Sequence, residues 1–415
     1  MTGPAVHVVG AGLAGLSAAV RLVEAGCRVV LHEAAPAAGG RCRSYYDPAL
    51  DLVIDNGNHL LLSGNRTVLD YLGRIGAGDS LRGPASAAFD FADLASGARW
   101  RLRPNDGRVP WWLFDRSRRV PETRVRDYLA PLGVLRAPAH ATVGEAMRCA
   151  GPLYERLWRP VLLAALNTDP KDGSARLAAS ILRETLGAGG QACRPLVAAN
   201  GLSASFIDPA LAYIAARGAT IRFADRLRSI GLDGDRAATL DFTGSGAVAL
   251  SSGETVLLAV PPWTARELLP GLEVPDAFRA IVNAHFRVKP PAGLAPVLGI
   301  VNGLTEWLFA YPQHLSVTIS SADRLFDVPR ETLAADIWRE VAALTGLSDT
   351  LPPWQIVREK RATFAATPSQ DARRPQARTR WTNVVLAGDW TQTGLPATIE
   401  GAVRSGYKAA SLMPR

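Results

Sequence analysis

Residues 6–19 read Val-His-Val-Val-Gly-Ala-Gly-Leu-Ala-Gly-Leu-Ser-Ala-Ala, an apolar run that leads into three glycines spaced G-x-G-x-x-G. A second apolar run, residues 28–32, is followed by an acid, Glu33. A strand, a glycine turn that opens a helix, and a second strand ending at an acid together form a dinucleotide-binding unit, in which the acid accepts from a ribose hydroxyl. This stretch therefore predicts an α/β fold with a Rossmann-like domain at its start.

Each glycine of the turn has its own physical purpose. Gly10 permits the tight turn, Gly12 lets the backbone approach a pyrophosphate, and Gly15 lets the helix pack closely on the strand. Leu13 and Ala14 open the helix, whose unpaired N–H groups attract the anion. The alternative is a glycine-rich turn in another kind of α/β protein, and the strands and acid at the required separations argue against it.

Residues 38–43, Ala-Gly-Gly-Arg-Cys-Arg, resemble the G-G-R segment that follows the second strand in the flavin amine oxidase and phytoene desaturase superfamily. In that superfamily the glycines pass close to the flavin and an arginine faces the pyrophosphate. Gly39, Gly40 and Arg41 are the matching positions here. The resemblance implies a tightly held FAD rather than an exchangeable NAD, whereas the alternative for Arg41 is a solvated surface arginine.

Residues 52–62 read Leu-Val-Ile-Asp-Asn-Gly-Asn-His-Leu-Leu-Leu, a strand that runs into a glycine turn and out again. The D-N-G-x-H-L-L form of this turn resembles the hydroxysqualene dehydroxylases, which are squalene-associated flavin desaturases. The resemblance places three residues of the turn beside the isoalloxazine: Asn56, Gly57 and Asn58. His59 exchanges a proton near neutrality, so it is the candidate acid or acid-orienting residue, with Asp55 as its partner. The alternative is a structural histidine held by hydrogen bonds.

Residues 383–390 predict a buried strand that ends in Gly388 and Asp389, after which a turn opens a helix. In the superfamily the acid matching Asp389 bonds the ribityl or phosphate region. The helix N-terminus there faces the pyrimidine end of the ring and stabilises the anion of the reduced flavin. The resemblance implies further cofactor contacts at Leu227, Pro396, Ala397, Thr398, Glu400, Gly401 and Ala402. The alternative for Asp389 is an ordinary helix cap.

Three separated segments make up the predicted FAD-binding domain of the amine-oxidase type: residues 1–76, 200–262 and 370–415. The intervening residues, 77–199 and 263–369, make up an interleaved α+β substrate domain. An architecture of this size can hold a large core.

Within the substrate domain, residues 153–201 are predicted to be mostly helical. Apolar and polar residues alternate over residues 281–288 and 314–319, which predicts an antiparallel sheet, and residues 330–346 predict a helix above it. Such a sheet can floor a long apolar tunnel, or it can be ordinary core.

The chain carries a formal charge of +8, and 42 of its 46 basic residues are arginine. This imbalance favours arginine-rich codon usage over a functional explanation for much of the excess. The four cysteines lie far apart without a C-x-x-C pair, so neither a metal site nor a disulfide framework is indicated, and a reducing cytoplasm is expected. We expect neither a signal peptide nor a membrane-spanning run of about 18 apolar residues.

Residues 99–126 combine nine arginines with four large aromatic residues: Trp100, Trp111, Trp112 and Phe114. Basic residues attract anionic headgroups and tryptophans settle at the interface, which predicts a peripheral contact with the inner face of the cytoplasmic membrane. The alternative is a solvated helical face with core tryptophans. Single-stranded nucleic-acid grooves have a similar composition, but no other feature supports nucleic acid as a partner.

The resemblance to hydroxysqualene dehydroxylases covers nearly the whole chain. It implies a polyprenyl lipid substrate, hydroxysqualene, which receives a hydride from reduced FAD and loses water to give squalene. The electron donor that reduces FAD is not identified, because no second G-x-G-x-x-G offers an NADPH domain.

Three other functions remain open from the sequence. A carotenoid-type desaturase or isomerase would run the same flavin chemistry on another polyprenyl chain. An amine oxidase is disfavoured by the lack of a lysine in a flavin-facing motif. A non-catalytic prenyl-binding protein, like the Rab escort proteins, would not need the intact glycines and acids of the dinucleotide site.

Overall fold

The computed structural model describes residues 3–413, which form five β-sheets surrounded by helices. In chain order the strands are β1 Ala5–Val9, β2 Arg28–His32, β3 Ser44–Asp47, β4 Leu52–Asp55, β5 Leu61–Leu62, β6 Leu81–Arg82, β7 Phe89–Asp93, β8 Arg99–Leu102, β9 Pro195–Ala198, β10 Thr220–Arg222, β11 Leu227–Asp233, β12 Arg236–Phe242, β13 Gly246–Ala249, β14 Thr255–Leu258, β15 Phe278–Phe286, β16 Val297–Val301, β17 Trp307–Ala310, β18 Leu315–Ile319, β19 Trp354–Phe364 and β20 Val384–Leu386. The α-helices are α1 Leu13–Glu24, α2 Arg66–Arg74, α3 Pro131–Arg136, α4 Val143–Ala146, α5 Arg159–Leu166, α6 Ala175–Glu184, α7 Asp208–Ala215, α8 Pro262–Leu268, α9 Arg330–Thr345, α10 Pro368–Ala372 and α11 Ile399–Ala410.

The first sheet is parallel and has the strand order β10-β2-β1-β14-β20. Its central strands are buried along their whole length, because α1, α7 and α11 cover one face and the three-stranded sheet β11-β12-β13 packs on the other. Helices α1 and α11 pack so closely that a side chain at Gly406 would overlap Ser17. The prediction of a Rossmann-like sheet is confirmed. It also brings the first and last quarters of the chain together at the carboxyl ends of β1 and β20.

A seven-stranded sheet has the order β19-β15-β18-β17-β16-β7-β8, and all its neighbours are antiparallel except β16 and β7. One face packs under α9, where Leu333 and Ile337 join Val282 and Val317 in a common core. The predicted antiparallel sheet is confirmed. Strands β7 and β8, from an earlier part of the chain, extend it beyond what the alternation indicated.

The segment predicted to be mostly helical, residues 153–201, contains α5 and α6 but ends differently. Residues Pro195–Ala198 form β9, which pairs with both β5 and β6. The helical prediction is wrong at this strand because β9 obtains its hydrogen bonds from distant segments. The boundaries of the two predicted domains remain a prediction.

Residues 99–126 do not form the solvated helical face considered above. Strand β8 opens this stretch, and short 3-10 turns follow it. Across the described part of the chain, no helix combines the length and apolar character needed to cross a bilayer.

Candidate active site

The glycine turn after β1 has the geometry that its sequence predicts. Gly10 has a φ of +106°, and a Cβ there would lie 2.5 Å from the Ala259 carbonyl oxygen. A Cβ on Gly15 would overlap the Gly10 carbonyl, so this helix start tolerates glycine alone. By contrast, a Cβ on Gly12 would meet no atom within 4 Å. Gly12 therefore borders open space at the start of α1, where a pyrophosphate can approach the backbone.

Glu33 lies beside this glycine turn. Its carboxylate accepts hydrogen bonds from the Ala11 N–H at 2.7 Å and the Ala35 N–H at 2.8 Å. The backbone of residue 225 donates to the Glu33 carbonyl at 2.8 Å, which brings the start of β11 alongside this acid. Leu227, the expected adenine contact, is buried at that start. The two residues assigned to the adenosine end thus belong to neighbouring segments.

The G-G-R segment folds back against the glycine turn. The Gly39 N–H donates to the Ala11 carbonyl at 2.8 Å, and a Cβ on Gly40 would lie 3.6 Å from the Gly12 Cα. Arg41 donates to both carboxylate oxygens of Asp389 at 2.8 Å. Arg41 and Asp389, the residues expected near the phosphates and the ribityl chain, therefore form an ion pair. This pair joins the first and last segments of the predicted FAD-binding domain.

The C-terminal segment presents a capped helix start. Gly388 has a φ of +150° and donates its N–H to the Ser405 hydroxyl at 2.9 Å. Thr398 caps α11 by accepting the Gly401 N–H at 3.0 Å, and the Thr398 carbonyl accepts the Ala402 N–H. The N–H groups of Ile399 and Glu400, the first two residues of α11, then have no acceptor within the helix. Pro396, which is buried, and Ala397, which is half-buried, lead into this end.

The side chain of Glu400 has a structural task. It is buried and accepts the backbone N–H groups of Thr67 and Val68 at 3.2 and 3.0 Å, at the start of α2. Its carboxylate is therefore already bonded within the protein.

Asp55, the expected partner of His59, is bonded elsewhere. Its carboxylate accepts the Ser44 hydroxyl at 2.6 Å and the Leu202 N–H at 2.9 Å, and burial raises its pKa. Within residues 3–413 no hydrogen bond joins it to His59. Asp55 thus anchors the base of the turn to the segment that precedes α7.

Asn58 is the centre of a polar network that the sequence analysis missed. Its amide donates to the Ser316 hydroxyl at 2.8 Å and the Thr318 hydroxyl at 2.9 Å, while its oxygen accepts the Tyr311 hydroxyl at 3.1 Å. These partners lie on or beside β17 and β18 of the seven-stranded sheet. A Cβ on Gly57 would lie 3.1 Å from the Asn283 amide nitrogen. The turn is therefore fixed on the substrate sheet by side chains, so the Asn58 side chain is already committed within the protein.

One sequence signal does mark this network. Ser316 and Thr318 alternate with apolar residues along β18, whose other face is core. A polar row on the inner face of a buried strand needs hydrogen-bond partners, and the turn supplies them.

His59 follows Asn58 and is half-buried. Burial, followed by the nearby charge of Arg41, lowers its pKa to about 4. At neutral pH the imidazole is therefore uncharged. One ring nitrogen carries a proton and can donate a hydrogen bond to an oxygen, and the other ring nitrogen is unprotonated.

Replacing Asn58 by leucine is expected to destabilise the protein by about 2–4 kcal/mol, because three hydroxyl groups each lose a hydrogen bond to this side chain at once. Urea unfolding followed by tryptophan fluorescence measures this loss. Tyr311→Phe, which removes a single hydrogen bond from the same network, is the graded comparison, with an expected cost of about 1 kcal/mol. Equal stability of the Asn58→Leu variant and the unmodified protein would contradict the anchoring role of this side chain.

The residues around the glycine turn fit a flavin dinucleotide. Open space borders Gly12, an acid stands at the expected ribose position, and the starts of α1 and α11 supply N–H groups for an anion. The Arg41–Asp389 pair joins the two segments that would enclose the phosphates. These groups match the polar contacts that FAD needs.

The family model described as flavin containing amine oxidoreductase matches residues 13–413. This chain therefore belongs to that family, and it is an FAD-dependent oxidoreductase. A hydroxysqualene dehydroxylase of Rhodopseudomonas palustris is 56% identical to it over 408 residues, covering 98% of each chain. The hydroxysqualene dehydroxylase of Zymomonas mobilis is 46% identical over 406 residues, again covering 98% of each chain. Among solved structures, cyclohexylamine oxidase from Brevibacterium oxydans superposes with a TM-score of 0.72 over 99% of this chain and 98% of its own, at 16% identity, which indicates a shared fold.

Proposed function

We propose that this protein reduces hydroxysqualene to squalene by replacing its hydroxyl group with hydride. The supporting observation is the full-length identity of 56% to a hydroxysqualene dehydroxylase. When bound, reduced FAD supplies the hydride. The remaining demands of the reaction are a dry apolar cavity, an oriented hydroxyl group and a proton for the departing oxygen.

We infer that the face of the seven-stranded sheet that carries Phe91 and Trp307, both buried, borders the apolar cavity. Thr318 of β18 belongs to the Asn58 network, and its cross-strand neighbour on β17 is Trp307. Apolar side chains therefore begin on the strand next to this network. Trp307 packs edge-on against Phe91, and Phe91 stacks on Trp100 with ring centroids 5.6 Å apart. An aromatic surface beside a polar anchor suits a long hydrocarbon that carries one hydroxyl group.

The turn supplies the polar groups for the hydroxyl. Asn58 fixes the backbone at His59, whose neutral imidazole donates an N–H to the substrate oxygen and orients it. The proton donor that we propose is Glu306, which accepts the Ser320 N–H at 2.7 Å just beyond the end of β18. Burial raises the pKa of Glu306 to about 7, so this carboxyl group can hold a proton near neutral pH.

An anaerobic mixing experiment tests the function. The purified protein is reduced by light, mixed with hydroxysqualene in detergent, and followed by flavin absorbance while the lipid is extracted for mass analysis. We expect reoxidation with one squalene formed per flavin, at a rate that falls as the pH rises above about 7. A flavin that stays reduced with unchanged substrate would contradict the proposal and favour a desaturase, to be assayed with oxidised FAD.

We also propose that this protein contacts the membrane surface through residues 108–132. Trp111 and Phe114 are 68% and 69% exposed, and exposed arginines lie among them, whereas Trp100 and Trp112 are buried in the core. Trp111 and Phe114 thus fit a membrane contact, whereas Trp100 and Trp112 fit the alternative of core tryptophans. Exposed aromatic rings beside cationic side chains suit an anionic lipid surface.

The double variant Trp111→Ser, Phe114→Ser is expected to lose binding to anionic vesicles by about tenfold or more, because two large apolar side chains no longer enter the interface. Co-sedimentation with vesicles of phosphatidylglycerol and phosphatidylcholine measures the effect. The matched control is Tyr46→Ser, Val53→Ser, an exposed cross-strand pair on β3 and β4. Equal binding by both double variants would contradict the assignment of the membrane surface to residues 108–132.

A further inference from the structure

Two histidines and an aspartate form a buried chain of hydrogen bonds in the dinucleotide domain. His7 Nδ1 lies 3.1 Å from His32 Nε2, and His32 Nδ1 lies 2.8 Å from an Asp225 carboxylate oxygen. All three side chains are at least nine-tenths buried. Their arrangement is satisfied when both imidazoles are neutral, with each N–H donated toward the aspartate.

Asp225 is the end point of this chain and also shapes the loop around it. Its carboxylate accepts the Ser245 hydroxyl at 2.6 Å, the Ser245 N–H at 2.7 Å and the Gly244 N–H at 2.9 Å. His32 is in turn held flat against Phe242, with ring centroids 4.0 Å apart. The three-stranded sheet β11-β12-β13 is therefore tied through one carboxylate to strand β2 of the parallel sheet.

The tie lies next to the adenosine end of the proposed cofactor site. His32 immediately precedes Glu33, the expected ribose acceptor, and the Asp225 N–H donates to the Glu33 carbonyl at 2.8 Å. Leu227, the expected adenine contact, follows Asp225 by two residues. The Asp225 carboxylate, through His32, thus adds a side-chain link to the backbone hydrogen bonds that hold the ribose acid beside the adenine strand.

The charged and titratable groups that face the chain come from several elements. Burial lowers the pKa of both histidines, Glu254 raises that of His7, and the charges of Arg222 and Arg28 lower it. The bonds that Asp225 accepts hold its own pKa at about 2, so it is a carboxylate at neutral pH.

We propose that Asp225 and His32 are positioning residues for the adenosine half of FAD, acting through the spacing of Glu33 and Leu227. Neither side chain is assigned a contact with the cofactor. Loss of the carboxylate should lower the affinity for the adenosine half of FAD. The affinity for the flavin half should not change, because we expect the turn at Asn58 and the start of α11 to bind that half.

The test uses the apoprotein and two fragments of the cofactor, so it does not depend on turnover. ADP carries the adenosine and pyrophosphate, and FMN carries the flavin and one phosphate. For Asp225→Asn we expect affinity for ADP and FAD to fall about tenfold or more, because a charged acceptor of several hydrogen bonds is lost, while affinity for FMN stays the same. Isothermal titration calorimetry measures ADP, and quenching of flavin fluorescence measures FMN and FAD.

Asp241→Asn is the matched control, since Asp241 lies on β12 of the same sheet and its carboxylate faces Arg228 at 3.6 Å near the surface. It should bind all three ligands like the unmodified protein. An equal loss of ADP and FMN affinity in Asp225→Asn would show a general structural role and overturn the proposal, and so would unchanged ADP affinity. If Asp225→Asn fails to fold, His32→Gln serves in its place with the same expected division between ADP and FMN.

Discussion

Gly12→Ala is expected to weaken FAD binding by the apoprotein about 10- to 100-fold while leaving its stability unchanged. A Cβ at this position would meet no protein atom within 4 Å, so the apoprotein has room for it. The added methyl group would instead occupy the space through which a pyrophosphate approaches the start of α1. The substitution should therefore lower the affinity for FAD and leave the free energy of unfolding of the apoprotein unchanged.

Two measurements separate these effects. Quenching of flavin fluorescence gives the affinity, and thermal unfolding of the apoprotein gives the stability. Gly73→Ala is the matched control, because a Cβ on Gly73 of α2 also meets nothing within 4 Å and this residue lies far from the proposed site in sequence. Tight FAD binding by Gly12→Ala would refute the assignment of the pyrophosphate to this turn.

The second large effect is a loss of stability on acidification. Burial lowers the pKa of His7 and His314 to about 4 and that of His285 to about 3. Below pH 6.5 the unfolded chain binds protons at these histidines and the folded chain does not, so the free energy of unfolding decreases as the pH falls. The loss continues until the folded groups protonate near pH 4. For His7 alone, the shift corresponds to about 3 kcal/mol.

Urea unfolding of the apoprotein at a series of pH values between 7.5 and about 4.5 measures this dependence. His7→Gln is expected to reduce the slope of stability against pH, because one buried group no longer titrates on unfolding. His140→Gln, which changes an exposed histidine, should leave the slope unaltered. A stability that is flat across this range would contradict the neutral state assigned to the buried histidines.

Local features of the fold were accessible from the sequence. The glycine spacing around Gly10, the acid at Glu33 and the apolar strand before Gly388 each encode a turn or strand through residues close together in the chain. Their meeting at one edge of the parallel sheet follows from topology rules, since parallel strands present their carboxyl ends together. The Rossmann-like architecture could therefore be predicted in advance.

The remaining features depend on contacts between distant residues. Alternation in β18 indicated a strand, but it carried no information that Ser316 and Thr318 would bond Asn58, more than 250 residues earlier in the chain. For the same reason Asp55 was expected to serve His59, whereas the fold supplies it with Ser44 and Leu202. A polar side chain takes whichever partners tertiary packing brings within reach, and sequence proximity does not decide that choice.

Mass analysis of squalene formed in heavy water tests the central claim, which is hydride transfer from the reduced cofactor to the carbon that loses oxygen. The protein is photoreduced anaerobically in heavy water, so that the transferable hydrogen of the cofactor is deuterium, and is then mixed with unlabelled hydroxysqualene. We expect squalene carrying one deuterium per molecule, at the former carbinol carbon. Squalene without deuterium, or no squalene from a protein that retains its reduced FAD, would contradict the account.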